Sequence, residues 1–222
     1  MTRTEQVEIE GVPMVATLVP GDAGIGLLAL HGSNEGGTAQ LAGTVARRCG
    51  ATSLVFTQPG VRRPVHITST RWAAAPCALL REFLERVSLT VSLHGHMRPA
   101  APHAVFLGGG NRDAAHVLAE AFTEHVPHFP AVTDLTEIPA ALRGVHPRNP
   151  VNLTRLGGVQ VELPLLARTG GGTGTPPPQV VEALVAGVKE LSGKASPGGA
   201  ELRSRPGAAA WARATTQVPR TP

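Results

Sequence analysis

Short apolar runs alternate with stretches of helical periodicity along most of the chain. The apolar runs end at Gly, Pro or polar residues, which is typical of strands. They predict strands at 25–30, 52–57, 87–93, 103–110 and 158–164. Apolar residues at helical spacing predict helices at 39–49, 76–87, 111–125 and 178–191. Strands that alternate with helices predict a single α/β domain with a mostly parallel sheet and helices on both faces.

The segment before the first of these strands has a weaker pattern. Residues 7–20 alternate loosely between apolar and polar side chains and contain Pro13 and Pro20. Proline removes a backbone N–H donor, so it is found at the edges of sheets. This segment therefore predicts an edge strand or a hairpin.

Composition limits the kind of core that the chain can build. The chain has 222 residues, of which 42% are hydrophobic and 16% are charged, and its aromatic residues are five Phe and two Trp. This length is enough for one good-sized core or two small ones. Leu, Val and Ala must therefore supply most of the core.

The C-terminal segment differs in composition from the rest of the chain. Residues 193–222 are rich in Gly, Ala, Pro, Ser, Thr and Arg and have almost no large apolar side chains, which predicts disorder. Their five basic and one acidic side chains account for the whole formal net charge of +4. We predict an α/β domain at 1–192 and a disordered basic tail at 193–222. Because the positive charge belongs to the tail, we do not expect nucleic acid as a partner.

Three further observations bear on where the protein works. The N-terminal segment MTRTEQVEIEG lacks the apolar stretch of a signal peptide. No run of about 18 apolar residues predicts a membrane span. Cys49 and Cys77 form no CxxC pair and read as small buried residues. We expect a cytoplasmic protein that makes no contact with a membrane.

A histidine and a glutamate stand at the turn after the strand at 25–30. His31 ends the apolar run, Glu35 follows, and Gly32, Gly36 and Gly37 surround the pair. Thr38 is a candidate N-cap for the helix that follows. Open α/β sheets place their sites at the carboxyl ends of strands. The pair is either two ligands of a metal ion or a capped turn with a hydrogen-bonded histidine.

His94 completes a possible set of metal ligands. It ends the strand at 87–93, and parallel packing places it at the same sheet edge as His31, together with the glycines at 108–110. His31, Glu35 and His94 would leave one position open for water, which is the arrangement of a catalytic zinc. His96 is an alternative ligand, since in an extended chain it points the same way as His94.

Other polar residues are candidates for catalysis and substrate binding. Glu162 lies on the polar face of the strand at 158–164 and is either a general base beside the metal or an exposed residue of an edge strand. Arg98, Arg112 and Arg155 lie in loops predicted to be near the site, where a guanidinium binds a substrate carboxylate. Each arginine is otherwise a surface residue.

The sequence lacks the motifs of other reaction classes. It contains no GxSxG nucleophile motif, no GxxxxGK[ST] phosphate-binding loop and no GxGxxG dinucleotide motif. The glycines around Glu35 also exclude the helical HExxH zinc motif.

Six segments between residues 25 and 164 occur in an order found in one enzyme family. They are LALHGSNEGGTAQLA, VHITSTRW, VSLHG, VFLGGGNRD, NPVN and GVQVELP. In this order they resemble the phage and bacterial poly-γ-glutamate hydrolases, which are similar in fold to zinc carboxypeptidases.

The resemblance implies an activity and roles for particular residues. It implies that His31, Glu35 and His94 bind Zn²⁺ and that Glu162 is the general base. His66 matches a family histidine near the site. The implied activity is zinc-dependent hydrolysis of amide bonds, with the γ-glutamyl linkages of poly-γ-glutamate or a small anionic peptide as substrate.

The sequence departs from the family pattern at several positions. The first turn reads HGSNEGG where the family more often has HGGGIE, and His96 and Arg98 replace residues that are often small in relatives. Asn152, a candidate substrate contact, is followed by Leu153 where the family tends to have arginine. The alternatives are a relative that binds an anionic polymer or peptide without cleaving it, and an N-acyl amino acid amidohydrolase.

Overall fold

The predicted strands join into one mixed sheet in the computed structural model, which describes residues 1–171 and 174–195. The strands are β1 (Arg3–Ile9), β2 (Val12–Val19), β3 (Ile25–Ala29), β4 (Thr52–Thr57), β5 (Leu89–His96), β6 (Val105–Leu107), β7 (Ala131–Val132) and β8 (Gly158–Pro164). The α-helices are α1 (Thr38–Cys49), α2 (Ala78–Arg86), α3 (Arg112–His125), α4 (Leu165–Thr169) and α5 (Pro178–Ala195). The order across the sheet is β1-β2-β4-β3-β5-β8-β6-β7.

The centre of the sheet is parallel and its flanks are mixed. Strands β4, β3, β5 and β8 run parallel to one another, whereas β2 and β6 run antiparallel to their neighbours in this central group. Every residue of β3 and of β8 is buried, as expected for strands covered on both faces. Residues 7–20 contribute to the predicted hairpin, formed by β1 and β2.

Alternating side chains divide the interior into two hydrophobic cores on opposite faces of the sheet. In β3, Ile25, Leu27 and Ala29 belong to the core that α1, α3 and α5 cover, while Leu28 belongs to the core that α2 covers. Apolar side chains of the hairpin join the α2 core. The predicted fold class, α/β with helices on both faces, is confirmed. No helix in the described part of the chain is long and apolar enough to cross a membrane.

Helix ends differ from the prediction at both ends of the domain. Gly37, in a left-handed conformation with φ 90°, is the N-cap of α1, so the expectation that Thr38 caps this helix is wrong. The last helix continues to Ala195, so residues 193–195 of the predicted tail are helical. Residues 196–222 lie outside the described residues, and the disordered tail stays a prediction there.

Strand β6 runs in the direction that the sequence analysis did not expect. It pairs antiparallel with β8, with Phe106 opposite Glu162 and Leu107 opposite Val161. Its C-terminal end therefore points away from the sheet edge where β5 and β8 end. The prediction that the glycines at 108–110 share an edge with His31 and His94 is wrong, because periodicity carries no information about strand direction.

A carboxylate from β1 caps helix α2. Glu5 accepts hydrogen bonds from the backbone N–H groups of Ala78 at 3.0 Å and Leu79 at 2.8 Å. Burial raises the pKa of Glu5, but the hydrogen bonds from Leu79, Ala78 and Cys77 together bring it below its ordinary value. The contact joins the hairpin to the α2 face of the sheet.

We expect Glu5→Gln to destabilise the protein by about 0.5–2 kcal/mol, because a helix cap and a favourable charge at a helix N-terminus are lost. The pKa of Glu5 is lower in the folded protein, so this stabilisation is complete above the unfolded-state pKa. It disappears as the pH falls through the folded-state pKa. Urea unfolding at neutral and acidic pH measures the effect, and Glu8→Gln on the exposed side of β1 is the control. Equal stability of the two variants at neutral pH would contradict the assignment.

Candidate metal centre

The turn after β3 places His31 and Glu35 side by side. The backbone carbonyl of His31 accepts hydrogen bonds from the N–H groups of Asn34 and Glu35 at 3.0 and 2.9 Å. The hydroxyl of Thr38 donates to the carbonyl of Glu35 at 2.7 Å. This tight turn brings Nδ1 of His31 to 3.1 Å from Oε1 of Glu35.

His94 reaches the same point from the neighbouring strand. Its Nδ1 lies 3.2 Å from Nδ1 of His31 and 3.6 Å from Oε2 of Glu35. The backbone N–H of Gly95 donates to Oε2 of Glu35 at 3.0 Å, which fixes the carboxylate against β5. The structure therefore brings together the three residues predicted as metal ligands.

The outer nitrogens of the two imidazoles show which atoms are free to bind a cation. Nε2 of His31 donates to the carbonyl of Ile67 at 2.8 Å, so Nδ1 of the neutral ring carries a lone pair. Nε2 of His94 is hydrogen-bonded to Oγ of Ser92 at 2.9 Å. When the Ser92 oxygen accepts this bond, Nδ1 of His94 also carries a lone pair. Two such nitrogens facing a carboxylate, each oriented by a hydrogen bond behind it, form a donor set that fits a metal ion such as zinc.

His66 is a second possible partner for His31 and Glu35. The ligand atoms of His31, Glu35 and His66 all lie within 4.8 Å of one another, and Nε2 of His66 is 3.7 Å from Oε1 of Glu35. The side chain of His66 is 56% exposed on a loop, whereas that of His94 is 3% exposed. We favour His94 as the third donor because the hydrogen bond between its Nε2 and Ser92 holds the ring in place.

Charges in the cluster shift the pKa values of its members. Burial raises the pKa of Glu35, but the neighbouring His31, His66 and His94 bring it well below its ordinary value. Burial lowers the pKa of His31. Burial also lowers the pKa of His94, but the nearby carboxylates of Glu35 and Glu162 bring it above its ordinary value. Glu35 is thus ionised at neutral pH, as a ligand must be.

Glu162 lies beside the cluster on the next strand. It is directly opposite His94 in the pairing of β5 with β8, and it is only 4% exposed. β8 is a central strand, so the exposed edge-strand alternative is wrong. Oε1 of Glu162 accepts a hydrogen bond from Nε2 of Gln160 at 2.8 Å. Burial raises the pKa of Glu162 to about 7, against the opposing effect of His94.

One cavity of about 520 Å³ contains the cluster and Glu162. Its lining comes from four places in the chain: the turn after β3, the loop before α2, the ends of β5 and β8, and a loop between β7 and β8. The lining residues are His31, Glu35, His66, Thr68, Ser69, Thr70, His94, Gly95, residues 140–146, Asn149, Gln160 and Glu162. This volume suits a ligand of a few amino-acid residues.

Two predicted substrate residues lie next to this cavity but outside its lining. Nε2 of His96 donates to the carbonyl of Ala104 at 2.8 Å, and Nδ1 accepts from the backbone N–H of Arg98 at 3.3 Å. Both ring nitrogens of His96 are therefore engaged, which leaves none for a metal. His96 and Arg98 instead line a smaller groove together with Met97.

The remaining predicted substrate residues are used within the fold. Arg112 donates to the carbonyls of Leu107, Gly109 and Thr133. Arg155 donates to Oγ of Ser88, just before β5 begins, and so lies at the end of that strand opposite His94.

Asn152 is buried and supports the cavity wall from behind. It accepts from Gly110 and donates to the carbonyls of Gly144 and His146. The structure does not bring Arg112, Asn152 or Arg155 to the cavity.

The structure adds residues that the sequence analysis did not single out. Arg143 and Asn149 line the cavity from the loop between β7 and β8, which has no periodicity that could place them. Gln160 shares the polar face of β8 with Glu162, so the alternation along that strand was a usable signal. Ser69 and Thr70 also line the cavity, from the loop before α2.

Arg168 lies behind the donor set. Its Nη1 donates to the carbonyl of Gly36 at 2.7 Å, and a Cβ atom built on Gly95 would collide with its guanidinium group. One buried side chain of α4 thus contacts the residues that directly follow Glu35 and His94. Helix α4 begins where the strand carrying Glu162 ends.

The fold and the site define an α/β protein with a candidate metal centre at the carboxyl ends of its central strands. The family model for poly-gamma-glutamate hydrolase matches residues 2–170, so the chain belongs to that family, which is one of hydrolases. The resemblance inferred from the sequence is confirmed.

Two solved structures with TM-scores of 0.60 or more show the same fold, and a third is similar at a lower score. A bacteriophage poly-gamma-glutamate hydrolase has a TM-score of 0.65 at 20% identity, over 82% of this chain and 89% of that chain. YNDL in its apo, zinc-free form has a TM-score of 0.60 at 22% identity, over 78% and 86%. A metallo-carboxypeptidase from Burkholderia cenocepacia has a TM-score of 0.49 at 15% identity, over 85% and 63%. No curated protein sequence matches the chain.

Proposed function

We propose that this hydrolase is zinc-dependent and cleaves the γ-glutamyl amide bonds of poly-γ-glutamate. The observation that carries the proposal is the convergence of His31, Glu35 and His94 in one cavity with Glu162. Membership of the poly-γ-glutamate hydrolase family supports the substrate, and the zinc-free apo form of YNDL supports zinc as the metal.

His31, Glu35 and His94 would hold the zinc ion through Nδ1, a carboxylate oxygen and Nδ1. When bound, zinc supplies a Lewis acid that polarises the scissile carbonyl and lowers the pKa of a water molecule. Ile67, Ser92 and the backbone of Gly95 keep the three donors oriented through the hydrogen bonds described above. Loss of one such supporting contact commonly lowers metal affinity ~10- to 100-fold. We therefore expect zinc binding to weaken at least ~10-fold when any one of them is removed.

Glu162 has the position and environment of a general base. It lines the cavity next to His94, and burial keeps its pKa high enough for it to accept a proton from water and pass it to the leaving amine. A cation bound nearby would lower this pKa and keep the carboxylate ionised at neutral pH. Gln160 fixes the carboxylate through its hydrogen bond to Oε1.

Cleavage of the polymer by the purified protein tests the proposal. We expect zinc-loaded protein to shorten poly-γ-glutamate, with loss of activity after dialysis against a chelator and recovery when zinc is restored. Size-exclusion chromatography and the release of free amines measure cleavage. Poly-α-glutamate, with similar charge but ordinary peptide bonds, is the control. Binding of poly-γ-glutamate without cleavage would instead favour a relative that has lost catalysis.

A further inference from the structure

Arg143 lines the cavity that contains the candidate metal donors and carries a guanidinium group that is only partly hydrogen-bonded. Among the residues that line this cavity in the described part of the chain, it is the one arginine. Its Nε donates to the carbonyl of Ile138 at 2.9 Å. Neither Nη1 nor Nη2 has a hydrogen-bond partner within residues 1–171 and 174–195. Neither of them is a buried polar atom without a partner. The side chain is thus anchored at one nitrogen and open at the other two.

The backbone around Arg143 is held in place from three sides. The carbonyl of Arg143 accepts from the N–H of Gly109 at 2.7 Å. The carbonyls on either side of it accept from side chains: that of Leu142 from Gln160 at 3.2 Å, and that of Gly144 from Asn152 at 2.7 Å. An anchored loop of this kind gives the guanidinium group a defined position.

Gln160 connects Arg143 to the candidate general base. Its Nε2 donates both to the carbonyl of Leu142 and to Oε1 of Glu162, and its Oε1 accepts from Asn149 at 2.8 Å. Gly144 has a φ of 63°, and a Cβ atom built on it would collide with the Gln160 side chain. Arg143 is therefore held at a fixed place relative to Glu162.

The other arginines that the sequence suggested do not reach the cavity. Arg112 and Arg155 bond to groups of the fold, and Arg98 lines a different groove. Leu153, which stands where the family tends to have arginine, packs against the core on the α2 face. Among the described residues that line this cavity, Arg143 is therefore the arginine placed to recognise an anionic substrate.

We propose that Arg143 is a substrate-binding residue that recognises a free α-carboxylate of the γ-glutamyl chain beside the bond to be cleaved. This inference rests on the proposed function for the identity of the substrate. Every residue of a γ-linked glutamate chain carries a free α-carboxylate one carbon from its amide nitrogen. The two open nitrogens of Arg143 suit paired hydrogen bonds to the two oxygens of such a group.

The test compares two oligomers in wild type and variants. One is a short γ-glutamate oligomer, and the other is the same oligomer with its α-carboxylates converted to carboxamides. We expect wild type to prefer the carboxylate form, and Arg143→Gln to lose ~10- to 100-fold in kcat/KM on that form with little change on the carboxamide. Arg143→Lys, which keeps the charge but not the fork, should be intermediate. Arg148→Gln, at an exposed position of the same loop, is the matched control.

Calorimetric binding of both oligomers to the zinc-loaded proteins makes the test independent of turnover. If wild type binds the carboxylate oligomer through Arg143 but cleaves neither form, the proposed function fails and the inference stands. If Arg143→Gln binds both oligomers as wild type does, the inference is wrong. It is also wrong if the variant weakens both oligomers equally, because that result indicates a structural role. Thermal unfolding and zinc content check that each variant is folded and loaded.

Discussion

His94→Ala should lose the metal and the activity together. The substitution removes one of three donors and leaves a buried space beside His31 and Glu35, so we expect affinity for zinc to fall by more than the ~10- to 100-fold that loss of a supporting contact costs. Hydrolysis should fall to background at zinc concentrations that saturate wild type. Zinc content after gel filtration and a chelator competition titration measure the two effects.

Two other histidines provide the comparison for His94. His66→Ala should keep most of the bound zinc, because this side chain lies on an exposed loop. His96→Ala should keep it as well, since both ring nitrogens of His96 bond to the backbone outside the cavity. If His66→Ala strips the metal while His94→Ala retains it, the third donor is His66 and our assignment is wrong.

Glu162→Gln should keep the metal and lose the reaction. Glutamine has nearly the same shape but no basic oxygen, so we expect zinc to stay bound while turnover falls ~10²- to 10⁴-fold, the usual contribution of a general base. The fall should appear in kcat with little change in binding of the γ-glutamate oligomer. Steady-state kinetics, zinc content and calorimetry separate these quantities.

The matched control is Glu137→Gln, which removes the same charge from an exposed position outside the cavity. It should have wild-type turnover. Loss of zinc from the Glu162 variant would show that this carboxylate is a metal ligand and that the division of roles is incorrect.

Much of the fold could be predicted because its central strands are short apolar runs between polar turns. All seven residues of β8 are buried, and the alternation of valines with Gln160 and Glu162 already assigned each side chain to a face. The direction of β6 could not be predicted, since nothing in VFLGGG distinguishes a parallel from an antiparallel neighbour. The capping of α2 by Glu5 was equally hidden, because it joins residues more than seventy positions apart.

The candidate site likewise contains residues that the sequence could place and residues that it could not. His31 and Glu35 follow β3, and His94 lies near the end of β5, so the predicted topology alone could bring them together. Arg143 lies in a loop whose position depends on hydrogen bonds to Gln160 and Asn152, which are visible only in three dimensions. Arginines were proposed from their place near predicted strand ends, and that criterion does not show whether a guanidinium group is already engaged.

The position of Arg168 has a consequence for how the protein is made. The donors at 31, 35 and 94 leave the ribosome early, but the side chain that contacts the backbone beside Glu35 and His94 is synthesised much later. A nascent chain that ends before α4 would carry all three candidate donors without the side chain that packs beside Gly36 and Gly95. We therefore expect the three candidate donors to reach their final arrangement only after α4 has been synthesised, which is later than the last strand of the sheet.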